Sequence, residues 1–205
     1  MTVGAVIGVA VATSGGGDSP PEAIVVPTAR PADVLQEGRV LGNPDAPVAI
    51  VEYLDFQCPF CQKTAEQVMP AIEKTFIASG TASLEIRPIA ILGDESVQAA
   101  AAAECAKEQG QFWAYHDILY ANQGSERGGA FSDDRLKEFA EELNLDTGAF
   151  NSCLDSGRHT ETVEVATSAA LADGVSVTPT VLVNGEVVDA TIEAISAAAQ
   201  QAAGS

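Results

Sequence analysis

Two of the four cysteines stand three positions apart, in Cys58-Pro59-Phe60-Cys61. Thiols at that spacing can close a small disulfide that exchanges with other thiols, or supply half of a zinc site. The element that carries them decides between these chemistries. Upstream, Val48-Ala49-Ile50-Val51-Glu52-Tyr53-Leu54 reads as a buried strand, near-continuously apolar as in parallel sheets, and Asp55-Phe56-Gln57 makes the turn. Downstream, small and apolar residues at helical spacing through Gln62, Thr64, Val68, Ile72 and Phe76 predict a helix that stops by Ser79-Gly80. Pro70 removes the bond to the Glu66 carbonyl and predicts a kink. Pro59 suits the first helical position, which makes Cys58 the N-cap and turns its sulfur toward the unpaired amides of the first turn. Those amides and the helix dipole favour thiolate over thiol. Cys61 lies on the same helix face, within reach for a disulfide with Cys58. The expected pair is asymmetric, with Cys58 the accessible nucleophile and Cys61 the buried, resolving sulfur. A zinc site needs two more ligands, and Cys105, Cys153, His116 and His159 offer no second close pair.

Glu52 interrupts the strand with a charge. Buried near the cysteines, its carboxyl would hold its proton more tightly and could accept the Cys61 proton during resolution. The alternative is a glutamate on an edge strand, pointing to water.

The strand, Glu52 six positions before Cys58, and the Cys58-Pro59-Phe60-Cys61 motif resemble the DsbA-like thiol-disulfide oxidoreductases of the thioredoxin superfamily. Val175-Ser176-Val177-Thr178-Pro179-Thr180 is similar to that family's Gly-Val-x-x-Thr-Pro-Thr segment. The resemblance implies a cis Thr178–Pro179 bond facing the cysteines, with Thr178 offering its backbone to an extended substrate beside Cys58. The residues alone predict trans, because only about 5–6% of X–Pro bonds are cis. Phe60 stands where the best-known member has histidine. Phenylalanine can neither hydrogen-bond nor carry charge toward a thiolate, so a milder oxidant is expected. Beyond this segment, Asn184-Gly185 predicts a two-residue hairpin turn, and an alanine-rich helix over 191–202 closes the domain.

A second strand is predicted over 82–90, followed by five helices at 94–110, 112–120, 132–144, 146–156 and 160–172. A helical block between two βα halves is also what the resemblance implies. The expected fold class is therefore α/β: a thioredoxin fold with a helical domain inserted, in the DsbA-like manner. Residues 38–92 and 174–203 would form the thioredoxin-like domain, 93–173 the insertion, and 1–37 a signal or anchor remnant with a flexible Gly/Pro-rich tether. Cys105 and Cys153 fall in the first and fourth helices. With Cys58 and Cys61 assigned to the motif they are left to each other, as a structural disulfide, as two buried free thiols or as a second redox pair. Some members of the resembled family carry an extra disulfide there. Trp113, Tyr115 and Tyr120 read as core, and His116 as a helix-surface or hydrogen-bonded histidine.

The composition narrows the partners. Of 205 residues 46% are hydrophobic, enough for a packed core, and 10 basic against 29 acidic side chains leave a net charge of −19. Such a surface repels phosphate backbones and anionic lipid, so nucleic acid is excluded as a partner. The apolar run over 3–12 is about half of what a bilayer span needs and reads as an export signal or the outer end of an anchor. With two disulfides expected, the protein is placed in an oxidising compartment outside the cytoplasm, and the resemblance implies that of a bacterium. No cofactor and no metal are called for. The expected function is donation of disulfides to reduced or unfolded polypeptides. The resemblance implies reoxidation by a membrane partner, DsbB-like or similar to vitamin K epoxide reductase. The alternatives are a reductase or isomerase using the same residues, and a non-catalytic thioredoxin-like binding module.

Overall fold

The computed structural model describes residues 23–31 and 34–204; the apolar run over 3–12 lies outside them. Six strands form one sheet in the order β1-β2-β4-β3-β5-β6, with β1 Gln36–Glu37, β2 Val40–Leu41, β3 Val48–Leu54, β4 Ala82–Pro88, β5 Thr180–Val183 and β6 Glu186–Val188. The central β3 runs parallel to β4 and antiparallel to β5, so both its edges are paired. Its side chains alternate across the sheet: Val48, Ile50, Glu52 and Leu54 are buried on one face, while Ala49 is exposed and Val51 and Tyr53 are half-buried. The strand is thus buried on one face rather than on both. The β5–β6 hairpin turns on Asn184 and Gly185, both at positive φ (47° and 87°), as a two-residue primed turn requires.

The helix after the cysteine motif is not one regular α-helix. It starts as α1 (Pro59–Lys63), widens to a π turn over Thr64–Val68, resumes as α2 (Met69–Ile72) and widens again over Glu73–Ile77. The first widening lies where the kink was expected. Pro70 has no N–H for the Glu66 carbonyl, and just before it the Met69 amide reaches back five residues to Thr64.

Five helices stand between β4 and β5: α3 Asp94–Glu108, α4 Phe112–Ala121, α5 Asp133–Glu142, α6 Thr147–Asp155 and α7 Thr160–Ala172. The chain closes with α8, Ile192–Ala203, on the sheet. Helix α3 is the hub of the insertion. Its run of alanines, Ala99 to Ala103 with Ala106, is buried and lets α4, α5, α6 and α7 approach. Aromatic side chains fill the space around it: Phe112, Trp113, Tyr115, Phe131, Phe139 and Phe150 are all buried. Cys105 and Cys153 are bonded to each other and join α3 to α6 across 48 positions, with their Cα atoms 5.9 Å apart.

Residues 24–31, expected to be part of a flexible tether over 1–37, make contacts with the body. The Val25 amide and carbonyl pair with the Asn122 side chain, each at 2.8 Å. Arg30 forms ion pairs with Glu73 and Asp117, donates to the Trp113 carbonyl, and stacks over the Trp113 ring at 4.8 Å. The partners of Val25 and Arg30 lie 43 to 97 positions away, beyond the reach of local pattern reading.

Replacing both helix-joining cysteines with alanine (C105A/C153A) is expected to lower the unfolding free energy by roughly 4 kcal/mol, from the loop entropy restored to the unfolded chain. Urea denaturation at a fixed Cys58–Cys61 redox state measures it.

Candidate active site

The end of β3, a three-residue turn and the start of α1 bring the site together. Cys58 is the N-cap, at φ −76° and ψ 117°, with Pro59 in the first turn where no amide is required. Its amide donates to the Asp55 carbonyl at 3.0 Å, closing the turn. Cys58 is 5% exposed and Cys61 fully buried, whereas Phe60 is 70% exposed. The Cys58 sulfur is thus more sheltered than an open nucleophile would be. The segment before β5 lies against it: the Thr178–Pro179 bond is cis, and the Cys58 thiol donates to the Thr178 carbonyl at 3.3 Å.

Both cysteines are free thiols here, and their proton affinities diverge. The hydrogen bond from the Cys61 thiol, with smaller contributions from the Thr178 side chain and the Cys61 and Phe60 amides, outweighs burial and lowers the Cys58 pKa from 9.0 to about 6. Burial, and then the partner sulfur, push Cys61 far upward. The pair can therefore hold one thiolate and one thiol at neutral pH.

Glu52 lies on the buried face of β3, 1% exposed. Burial first, and the negative charge of Cys58 second, raise its carboxyl pKa from 4.5 to about 8. Among the described residues its Oε1 has no hydrogen-bond partner. The same charge contributes to the rise at Cys61, so the three groups form one electrostatic unit.

The turn holds more than its apolar neighbours announce. The Asp55 carboxylate is fully buried and accepts from the Gln57, Ile91 and Leu92 amides and the Ser96 hydroxyl, all within 3.0 Å. The Gln57 side chain donates to Ser96 and accepts from the Arg127 amide. Tyr120 donates its hydroxyl to the Asp55 carbonyl at 3.3 Å, and Gln123 donates to the Phe56 and Cys58 carbonyls. Asp55, Gln57, Ser96, Tyr120 and Gln123 were not singled out as site residues from the sequence. The available signal was the pair of polar residues, Asp55 and Gln57, set between a buried strand and the cysteines.

Cys105 and Cys153 belong to helices of the insertion and not to this loop. Among the described residues, the one group of His, Cys, Asp or Glu close enough to share an ion is Cys105, Cys153 and His159. Its two sulfurs are bonded to each other and offer no thiolate to a metal. His116 is buried, not on the helix surface. Its ring packs among Phe56, Trp113 and Tyr120, with Nδ1 2.8 Å from Asp117.

A dithiol at a helix N-terminus, beside the loop before β5 and under inserted helices, defines a thioredoxin fold arranged for thiol-disulfide exchange. The chain belongs to the DsbA-like thiol-disulfide oxidoreductases of the thioredoxin family, whose family model, described as Thioredoxin, matches residues 35–201. The structure is similar to that of oxidised BdbD from Bacillus subtilis, with a TM-score of 0.76 and 26% identity over 82% of this chain and 94% of that one. A Bacillus cereus protein named "Probable disulfide bond formation protein D" is 32% identical over 149 residues, 71% of this chain and 69% of its own length. The Na(+)/H(+) antiporter NhaA 3 of Salinispora tropica is 36% identical over 167 residues, 80% of this chain. The chain spans only about a quarter (24%) of that antiporter's length.

The shifts fix a pH signature for the reduced protein. The depressed Cys58 pKa adds stability that is full above about 9 and lost as pH falls through about 6. The raised Glu52 pKa acts oppositely, with its contribution full below 4.5 and lost as pH rises through about 8. Between pH 6 and 8 the two slopes oppose. Glu52→Gln is therefore expected to make the stability of the reduced protein climb more steeply with pH across that window than in the wild type. Urea midpoints at half-unit pH steps check it, and parallel curves would refute the assignment.

Proposed function

We propose that the protein works outside the cytoplasm as a disulfide donor to reduced or unfolded exported polypeptides. The observation that carries this reading is the divergence of the two thiols, a Cys58 pKa lowered to about 6 beside a Cys61 pushed far upward. A stabilised thiolate favours the dithiol form, and a stabilised dithiol makes the corresponding disulfide an oxidant.

In the oxidised form a substrate thiolate attacks Cys58 Sγ and the Cys58–Cys61 bond breaks. Cys61 leaves as a thiolate and takes a proton. Glu52, carrying its proton at neutral pH, is the donor, and it takes that proton back when Cys61 is reoxidised. The substrate's second thiolate then attacks the substrate sulfur of the mixed disulfide, and Cys58 departs as a thiolate. Two electrons have passed from the substrate to the sulfur pair, and the substrate keeps the disulfide. Pro59 holds the N-cap geometry, and Phe60 is the exposed apolar contact beside the reacting sulfur. Thr178 and Pro179 form the edge against which an extended substrate would lie. The reaction needs no dissociable cofactor. Return to the disulfide calls for a membrane redox partner, DsbB-like or similar to vitamin K epoxide reductase. The Cys105–Cys153 disulfide supports an oxidising compartment, and the Bacillus cereus relative is named for disulfide bond formation. No helix among the described residues is long and apolar enough to cross a membrane.

The Cys58–Cys61 couple is expected between the potentials of thioredoxin and DsbA, about −270 and about −120 mV, because Phe60 adds no charge or donor. The purified protein should oxidise reduced, unfolded ribonuclease faster than it reduces insulin. The reverse ranking would assign it to the reductases. Cys61→Ala is expected to accumulate mixed disulfides at Cys58, and no accumulation would indicate an inert binding module.

A further inference from the structure

We propose that Gln123, just beyond α4, is a positioning residue for the Cys58 sulfur, acting through the main-chain carbonyls of the active loop. Its Nε2 donates to the Phe56 carbonyl at 2.6 Å and to the Cys58 carbonyl at 3.1 Å. Both partners are acceptors, so only the amide end of the side chain can serve them, and its orientation is fixed by the contacts themselves. The Cys58 carbonyl already accepts the first helical bond, from the Gln62 amide at 3.1 Å. Gln123 occupies its remaining lone pair.

Two physical effects follow. The first is geometric. Clamping the carbonyls on either side of Gln57 holds the peptide planes that lead into the N-cap, and with them the direction in which the sulfur meets the first-turn amides. The second is electrostatic. Carbonyl oxygens carry partial negative charge close to the sulfur, and a donor on each offsets the repulsion a thiolate would feel. The other supports from the insertion hold Asp55 and Gln57, before the cysteine. Gln123 reaches the backbone of Cys58 itself, so it conveys the placement of α4 directly to the sulfur.

The inference rests on Cys58 being the nucleophile, and its test separates the two claims. Gln123→Met keeps the length of the side chain and loses the donors. Gln123→Glu keeps the shape and sets an acceptor against two acceptors. Gln62→Met is the matched control, because Gln62 ties the same helices together through the Tyr120 carbonyl at 2.8 Å without touching the loop carbonyls by its side chain. Each is made in the full chain. The readouts are Cys58 ionisation, followed by ultraviolet thiolate absorbance, the alkylation rate at pH 6, and the melting temperature. Gln123→Met is expected to raise the Cys58 pKa by about half a unit or more, with alkylation at pH 6 slowed about twofold or more, and Gln123→Glu to raise it further. Gln62→Met should lower the melting temperature and leave ionisation unmoved. Unchanged ionisation in both Gln123 variants, with stability lost as in the control, would overturn the positioning role. If one Gln123 variant does not fold, the other decides. A wild-type Cys58 that titrates near its ordinary 9.0 would instead sink the nucleophile reading.

Discussion

Negative charge on the Cys58 sulfur is stabilised by hydrogen bonds from Cys61, the Thr178 side chain and the first-turn amides, while burial drives charge away from Cys61 and Glu52. The chemistry depends on this difference more than on either value alone. Two equally buried thiols would both stay protonated and react slowly. Two equally exposed ones would have no order of attack. The fold separates them by placing one sulfur at the cap of a helix and the other in its first turn, fully buried.

Two carboxylates three positions apart illustrate how environment assigns roles. Asp55 and Glu52 are both buried, yet Asp55 receives four donors, from its own turn, the segment after β4 and the start of α3, whereas Glu52 Oε1 receives none among the described residues. A buried carboxylate with a full set of donors is a structural anchor. One without them is costly to ionise and is available for proton transfer. The loop is held through Asp55, while Glu52, with Oε1 unpaired among the described residues, is the carboxyl for which we propose proton exchange with the sulfur pair.

The insertion is in turn tied to the redox helix from the other side. Arg30 bridges Glu73, in the helical run after the motif, to Asp117 and Trp113 on α4. The guanidinium is largely buried and stacked on an aromatic face, so this contact differs in kind from an exposed surface ion pair.

Much of this was legible in the residues. The strand, the N-cap cysteine, the proline behind it, the five inserted helices and the Asn184-Gly185 turn all follow from patterns within a few positions. Glu52 has the same parity as Val48, Ile50 and Leu54, which marks its face. That Glu52 sits in a central strand and not at a sheet edge depends on β4 and β5 pairing both edges of β3, and parity alone does not say so. His116 was ambiguous because α4 is apolar almost all round, which leaves helical periodicity without contrast. The segment over 24–31 has the composition of a linker, and Arg30 finds its partners only once the helices are assembled. The sequence by itself determined the spacing of the cysteine pair and the local elements that carry it, because capping and strand–turn–helix order are short-range effects. Only the tertiary structure decided which sulfur keeps its proton, which carboxylate goes unsatisfied and which side chains grip the loop, because desolvation and long-range hydrogen bonds exist only after packing.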